Sequence, residues 1–116
     1  MHFAEKEYDA IIRKHKIYSS KPKLQGEFDL VLSNSDSVLI IEIEYQANQY
    51  HMEQLLKKGV VFRQLYPEYS NHDLYLGLAA FHFDSKTEKK SIEHGIAVIK
   101  QEGNTMVIND VHLMGL

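Results

Sequence analysis

Cysteine is absent from this 116-residue chain, which rules out both a disulfide framework and a thiolate metal site. Proline occurs only as Pro22 and Pro67, and no repeat, low-complexity tract or long linker interrupts the chain. No apolar run approaches the roughly 20 residues that span a bilayer. The opening stretch, with Glu5, Glu7 and Asp9, is too acidic and too interrupted for a signal peptide. The cytoplasm is therefore the expected compartment, with no membrane partner. A Gly-x-Ser-x-Gly elbow, a Walker loop and a dinucleotide fingerprint are also missing, which disfavours those enzyme classes. Seven histidines are present, but none falls in a His-x-x-x-His or His-Glu-x-x-His pattern. His82 and Asp84 read as a surface hydrogen-bonded pair on one face of a strand end.

What remains is an ordinary globular composition, 44% hydrophobic and 25% charged. The length suits one domain, residues 1–116, with one modest core. The net charge of −3 argues against coating nucleic acid through bulk electrostatics, because phosphate binding needs concentrated Lys and Arg. Two local groups stand against that balance: Lys14, Lys16, Lys21 and Lys23, and Lys86, Lys89 and Lys90. Solvated surface is the simpler account of both.

Hydrophobic spacing predicts a helix from Phe3 to His15, on Phe3, Ala4, Tyr8, Ile11 and Ile12, followed by a loop from Ser19 to Gly26. Phe28–Leu32 and Val38–Tyr45 are apolar runs separated by the polar Ser33–Ser37, the second of them rich in β-branched residues. They predict a hairpin covered on both faces. From Asn48 to Tyr66 the period becomes helical. Met52, Leu55, Leu56, Gly59, Val60, Phe62 and Leu65 share a broad face, with Glu53, Gln54, Lys57 and Lys58 outward. Tyr45, Tyr50, Phe62 and Tyr66 are expected to pack on the sheet. A strand over Asp73–Phe83 and a short helix over Thr87–His94 follow, the helix stopped by a left-handed Gly95. Two strands, Ile96–Lys100 and Met106–Ile108, close the pattern. The order α-β-β-α-β-α-β-β predicts an α/β sandwich around a mixed sheet flanked by helices.

Two glutamates two residues apart are unusual on a buried strand. Side chains alternate, so Glu42 and Glu44 share a face with Val38 and Ile40. If the tight loop is Ser35-Asp36, residues opposite one another sum to 71; Asp29 then faces Glu42 and Glu27 faces Glu44. If the loop has odd length, Asp29 faces Ile41 and the cluster breaks up. Carboxylates crowded together in the first register need a divalent cation, a lysine or a raised pKa. Their oxygen-only donor set suits Mg²⁺, Mn²⁺ or Ca²⁺ over zinc. The alternative is an exposed strand end whose carboxylates are merely solvated.

The string Glu27-Phe28-Asp29-Leu30-Val31-Leu32, a polar turn, and Ile40-Ile41-Glu42-Ile43-Glu44 resembles the core of the PD-(D/E)XK nuclease superfamily, with its three-layer restriction-endonuclease-like sandwich. The segments Gln54–Lys58, Leu65–Glu68 and Glu93–Ile108 resemble a group of bacterial proteins with that fold. The likeness covers about residues 27–110. It implies a Mg²⁺- or Mn²⁺-dependent endonuclease acting on DNA, with Asp29, Glu42 and Glu44 as catalytic and metal-binding positions. Glu44 stands where the superfamily places the lysine of its Glu-x-Lys motif. A lysine from elsewhere, Lys57 or Lys58, is one replacement; Glu5 or Glu7 could add a carboxylate, and Gln46 an orienting amide. Related chains run longer at the N-terminus, so a trimmed form or one half of a homodimer is also implied. The alternative function is a nuclease-fold binding or oligomerisation module without catalysis.

Overall fold

The computed structural model describes the backbone of residues 2–3, 6–7, 10–18 and 25–116, and the side chains from Phe28 onward. Its elements are β1 (His2–Phe3), β2 (Lys6–Glu7), β3 (Ala10–Tyr18), β4 (Gln25–Ser33), β5 (Ser37–Ala47), α1 (Gln49–Leu65), a 3₁₀ turn (Pro67–Tyr69), β6 (Asp73–Phe83), α2 (Ser85–Glu93), β7 (Ala97–Glu102) and β8 (Thr105–Asn109). β1 and β2 pair with each other, and β3 to β8 form one six-stranded sheet in sequence order. The β3–β4, β4–β5 and β7–β8 pairs are antiparallel. The β5–β6 and β6–β7 pairs are parallel, each crossing over through a helix. The expected α/β class and mixed sheet are observed.

The first element departs from expectation. In place of a helix over Phe3–His15 the chain forms strands, of which β3 pairs with β4 from Ala10 opposite Ser33 to Tyr18 opposite Gln25. Short apolar runs carry little period information, and Ile11-Ile12 suits a pleated strand as well as a helix. The outer edge of β4 also carries main-chain groups that a strand satisfies and a helix would not. Residues 19–24 of the expected loop lie outside the described residues, as do the side chains of Glu5, Glu7, Glu27, Lys14, Lys16, Lys21 and Lys23.

The hairpin takes the even register, with Leu30, Val31, Leu32 and Ser33 opposite Ile41, Ile40, Leu39 and Val38. Asn34 sets it. Its Oδ1 accepts from Asp36 N–H at 3.0 Å, Ser37 N–H at 2.7 Å and Ser37 Oγ at 2.9 Å, while its own N–H donates to Ser37 O. Ser35 and Asp36 are left as the two loop residues, which excludes the odd pairing.

Both faces of the sheet are apolar. On one, Phe28, Val31, Val38, Ile40, Leu74, Leu76 and Leu78 pack with Met52, Leu55 and Phe62 of α1. On the other, Leu32, Leu39, Ile41, Ala79, Ala97 and Ile99 form a second cluster with Leu113 against it. Lys100 lies on the α1 side, in register with Ala80, and is held by Glu88 of α2 at 2.9 Å. Both helices therefore cover the same face among the described residues. The α1 stripe Met52, Leu55, Gly59 and Phe62 is buried as expected, whereas Val60 is exposed. Tyr45 and Tyr50 stay 72% and 64% exposed; Tyr45 lies against Phe81 and His82 of β6, and Tyr50 stands at the cleft beside His51. Gly95 adopts φ 72° after α2, the left-handed stop its position predicts. Among the described residues no helix is long and apolar enough to cross a membrane.

Replacing Asn34 with Ala removes the side-chain acceptor of the whole turn and is expected to lower stability by about 1–2 kcal/mol. Urea denaturation of wild type and Asn34→Ala measures this; unchanged stability would show that the strands alone fix the register.

Candidate functional site

The β4–β5 ladder ends at Leu30 opposite Ile41, one pair short of where Asp29 would meet Glu42. β4 continues alongside β3 to Gln25, while β5 stays with β6 as far as Ala47 opposite Phe83. The sheet thus forks at Asp29 and Glu42. Two local features mark the fork. Phe28 and Val31, three residues apart, both enter the α1-side core, so the alternation of β4 breaks between them. The Asp29 side chain also takes over a main-chain bond, its Oδ2 accepting from Ile43 N–H at 3.0 Å.

Glu42 lies on the α1 side of β5, in register with Leu78, and is only 5% exposed. Burial is the main reason its carboxyl is pushed up from 4.5 to about 7, followed by its hydrogen bond with Asp29. Lys58 opposes both effects: its Nζ donates to Glu42 Oε1 at 2.6 Å, and its charge favours the ionised form. Lys58 was expected on the outward face of α1. It turns instead over the end of β5, because a half-buried ammonium gains more from Glu42 than from water alone.

Glu44 shares the face of Glu42 but does not join the pair. Its Oε2 faces His51 Nε2 at 3.5 Å. His51 is the third residue of α1 and closes a reciprocal cap with Asn48: Asn48 Oδ1 accepts from His51 N–H at 3.3 Å, and His51 Nδ1 accepts from Asn48 N–H at 3.2 Å. Glu42, Glu44, Tyr50, His51, Gln54 and Lys58 line one cleft of about 230 Å³. Among the described residues, no three His, Asp or Glu side chains converge on one point. Asp29 and Glu42 come together, and Glu44 stands beside them with a partner of its own.

Sequence reasoning passed over His51 and Gln54. The available signal was the spacing of His51, Gln54 and Lys58, a polar stripe beside the buried one on α1. Gln46, considered as an orienting amide, is exposed on β5 in register with His82 and does not line the cleft. His82 and Asp84 part company: His82 lies edge-on to the Tyr45 ring, and Asp84 accepts from Thr87 Oγ1 at 3.0 Å.

The Asp29–Glu42 pair suits a hard divalent cation. Both groups offer only oxygen, and a cation would take the place of the proton that the buried Glu42 holds near neutral pH. Mg²⁺ needs no more than one or two protein carboxylates when water and substrate oxygens complete its shell.

Because the folded pKa of Glu42 lies above its ordinary value, stability is lost as pH rises from 4.5 through about 7. Glu42→Gln removes that loss and is expected to exceed wild type in stability by about 2–3 kcal/mol near pH 8 in chelator, with the gap closing towards about pH 4. Urea unfolding across this range checks it; a gap independent of pH would show that the carboxyl of Glu42 is not raised in the folded state.

No protein-family model matches this chain, and no curated protein matches it. Two solved structures do. A crystal structure of a repair endonuclease from Pyrococcus abyssi superposes with a TM-score of 0.56 at 19% identity, over 84% of this chain and 40% of the other. A complex of EndoMS with double-stranded DNA gives 0.51 at 17% identity, over 78% and 37%. The chain therefore spans well under half the length of either. At these identities the likeness is one of fold: this chain shares its mixed-sheet α/β architecture with both endonuclease structures.

Proposed function

We propose that this protein is a Mg²⁺- or Mn²⁺-dependent phosphodiesterase acting on DNA, with Asp29, Glu42, Glu44 and Lys58 as its working groups. One observation carries the reading. Lys58 Nζ sits 2.6 Å from Glu42 Oε1, beside Asp29, so a lysine from α1 reaches the carboxylate pair although β5 carries Glu44 in the motif's lysine position. The nuclease fold and the DNA in the EndoMS complex support a polynucleotide substrate.

Asp29 and Glu42 would hold the metal, whose contribution when bound is to polarise the phosphodiester and acidify water. Lys58, no longer needed to neutralise Glu42, faces the negative charge that develops on the phosphoryl oxygens. Glu44 accepts a hydrogen bond from the attacking water and takes its proton. The water oxygen bonds to phosphorus as the P–O ester bond breaks, and the departing alkoxide is protonated from solvent. Glu42 and Glu44 meet the substrate through the cleft that they line with Lys58.

A second reading is a nuclease-fold binding or oligomerisation module without catalysis. It is favoured by the cleft itself, which carries Glu44 as well as Glu42 against the single charge of Lys58.

Cleavage of plasmid and short duplex DNA in Mn²⁺ separates the two. Wild type is expected to cut, and Asp29→Ala, Glu42→Ala and Lys58→Ala each to lose at least about 100-fold in rate. Equal rates in all four proteins, or no cleavage and no calorimetric Mn²⁺ binding by wild type, would leave the second reading.

A further inference from the structure

His51 does two things at once. Its Nδ1 accepts from Asn48 N–H at 3.2 Å, where a capping box ordinarily uses the carboxylate or amide of Glu or Gln. An acceptor at Nδ1 fixes the neutral ring as the Nε2–H tautomer, and that N–H faces Glu44 Oε2 at 3.5 Å. Glutamate at this position would cap the helix equally well but would repel Glu44. A histidine adds a donor aimed into the cleft that Glu42, Glu44, Gln54 and Lys58 share. Glu44 would otherwise be free to swing, and like-charge repulsion alone does not fix where its oxygens point.

We propose that His51 is a positioning residue: it holds one oxygen of Glu44 so that the other is presented to the attacking water, clear of the Asp29–Glu42 pair. The proposal rests on the phosphodiesterase reading for its kinetic consequence, while the orientation of Glu44 is a matter of geometry alone. The first turn of α1 thus links helix capping to the site. Asn48 orients His51 through its main-chain N–H, and His51 orients Glu44. The 3.5 Å spacing is long for a hydrogen bond and shortens when Glu44 is engaged by water and substrate, as catalytic contacts commonly do.

Three substitutions separate positioning from capping. His51→Gln keeps an acceptor for Asn48 and a donor for Glu44; His51→Glu keeps the acceptor alone; His51→Ala keeps neither. In DNA cleavage with saturating Mn²⁺, His51→Gln is expected within about threefold of wild type and His51→Glu to fall about 10- to 100-fold in kcat with KM little changed. Both should retain the wild-type melting temperature, which His51→Ala lowers. Wild-type kcat in His51→Glu overturns the proposal, and so does a kcat that merely follows melting temperature across the series. If wild type cuts no DNA, the phosphodiesterase reading fails separately, and the ring ¹⁵N spectrum of His51 decides the geometry. An Nε2–H signal displaced by Glu44→Gln keeps His51 as the residue that orients Glu44; an Nδ1–H tautomer, or a signal indifferent to that change, overturns it.

Discussion

Everything around the site depends on one hydrogen bond, from Ile43 N–H to the carboxylate of Asp29. In an uninterrupted hairpin the main chain of β4 would continue to pair with β5 beyond Leu30 and Ile41. Here a side chain satisfies Ile43 instead, and the two strands part without leaving that main-chain donor unpaired. The fork opens at the point where β5 carries its first carboxylate. Had the ladder continued, Glu42 would have been sealed between strands and helix; had it ended earlier, Glu42 would have been solvated and ordinary.

Burial makes Glu42 costly, and its two polar neighbours act on it in opposite directions. The Asp29 contact and the apolar surroundings favour the neutral carboxyl, while Lys58 favours the ionised one. The outcome is a carboxyl pushed up to about 7, which gains or loses its proton near neutral pH. Local cost of this kind concentrates at functional sites, where the surrounding fold sustains it. The turn at Asn34 belongs to the same system, because its three acceptor contacts set the register that brings Asp29 to Glu42 and not to Ile41.

Helix α1 supplies what the strand lacks. Its buried stripe of Met52, Leu55, Gly59 and Phe62 fixes the rotation of the helix over β4, β5 and β6. That rotation carries the adjacent stripe, His51, Gln54 and Lys58, over Glu44 and Glu42. The positive charge is thereby delivered from a different element than the sequence motif suggests, by packing that has no direct interest in the chemistry. Tyr45, on the face of β5 away from α1, lies against Phe81 and His82.

The hairpin, α1, β6, the Gly95 stop and the pair Asp29 and Glu42 were legible in the sequence, because each rests on local periodicity, turn chemistry or the rarity of charge on an apolar strand. β3 was not legible: Ile11 and Ile12 fit helix or strand, and only the open edge of β4 decided between them. Nor were the roles within the cleft. Spacing could nominate Lys58 but could not turn it inward, since its direction depends on which α1 stripe meets the sheet. His51 was lost among seven histidines because its importance lies in a cap and a neighbour, not in a motif. The sequence determined by itself that carboxylates would gather if the loop was even. Tertiary structure decided that the strands part there, that Lys58 answers Glu42 and that Glu44 goes to His51, because each depends on distances between elements that no local pattern encodes.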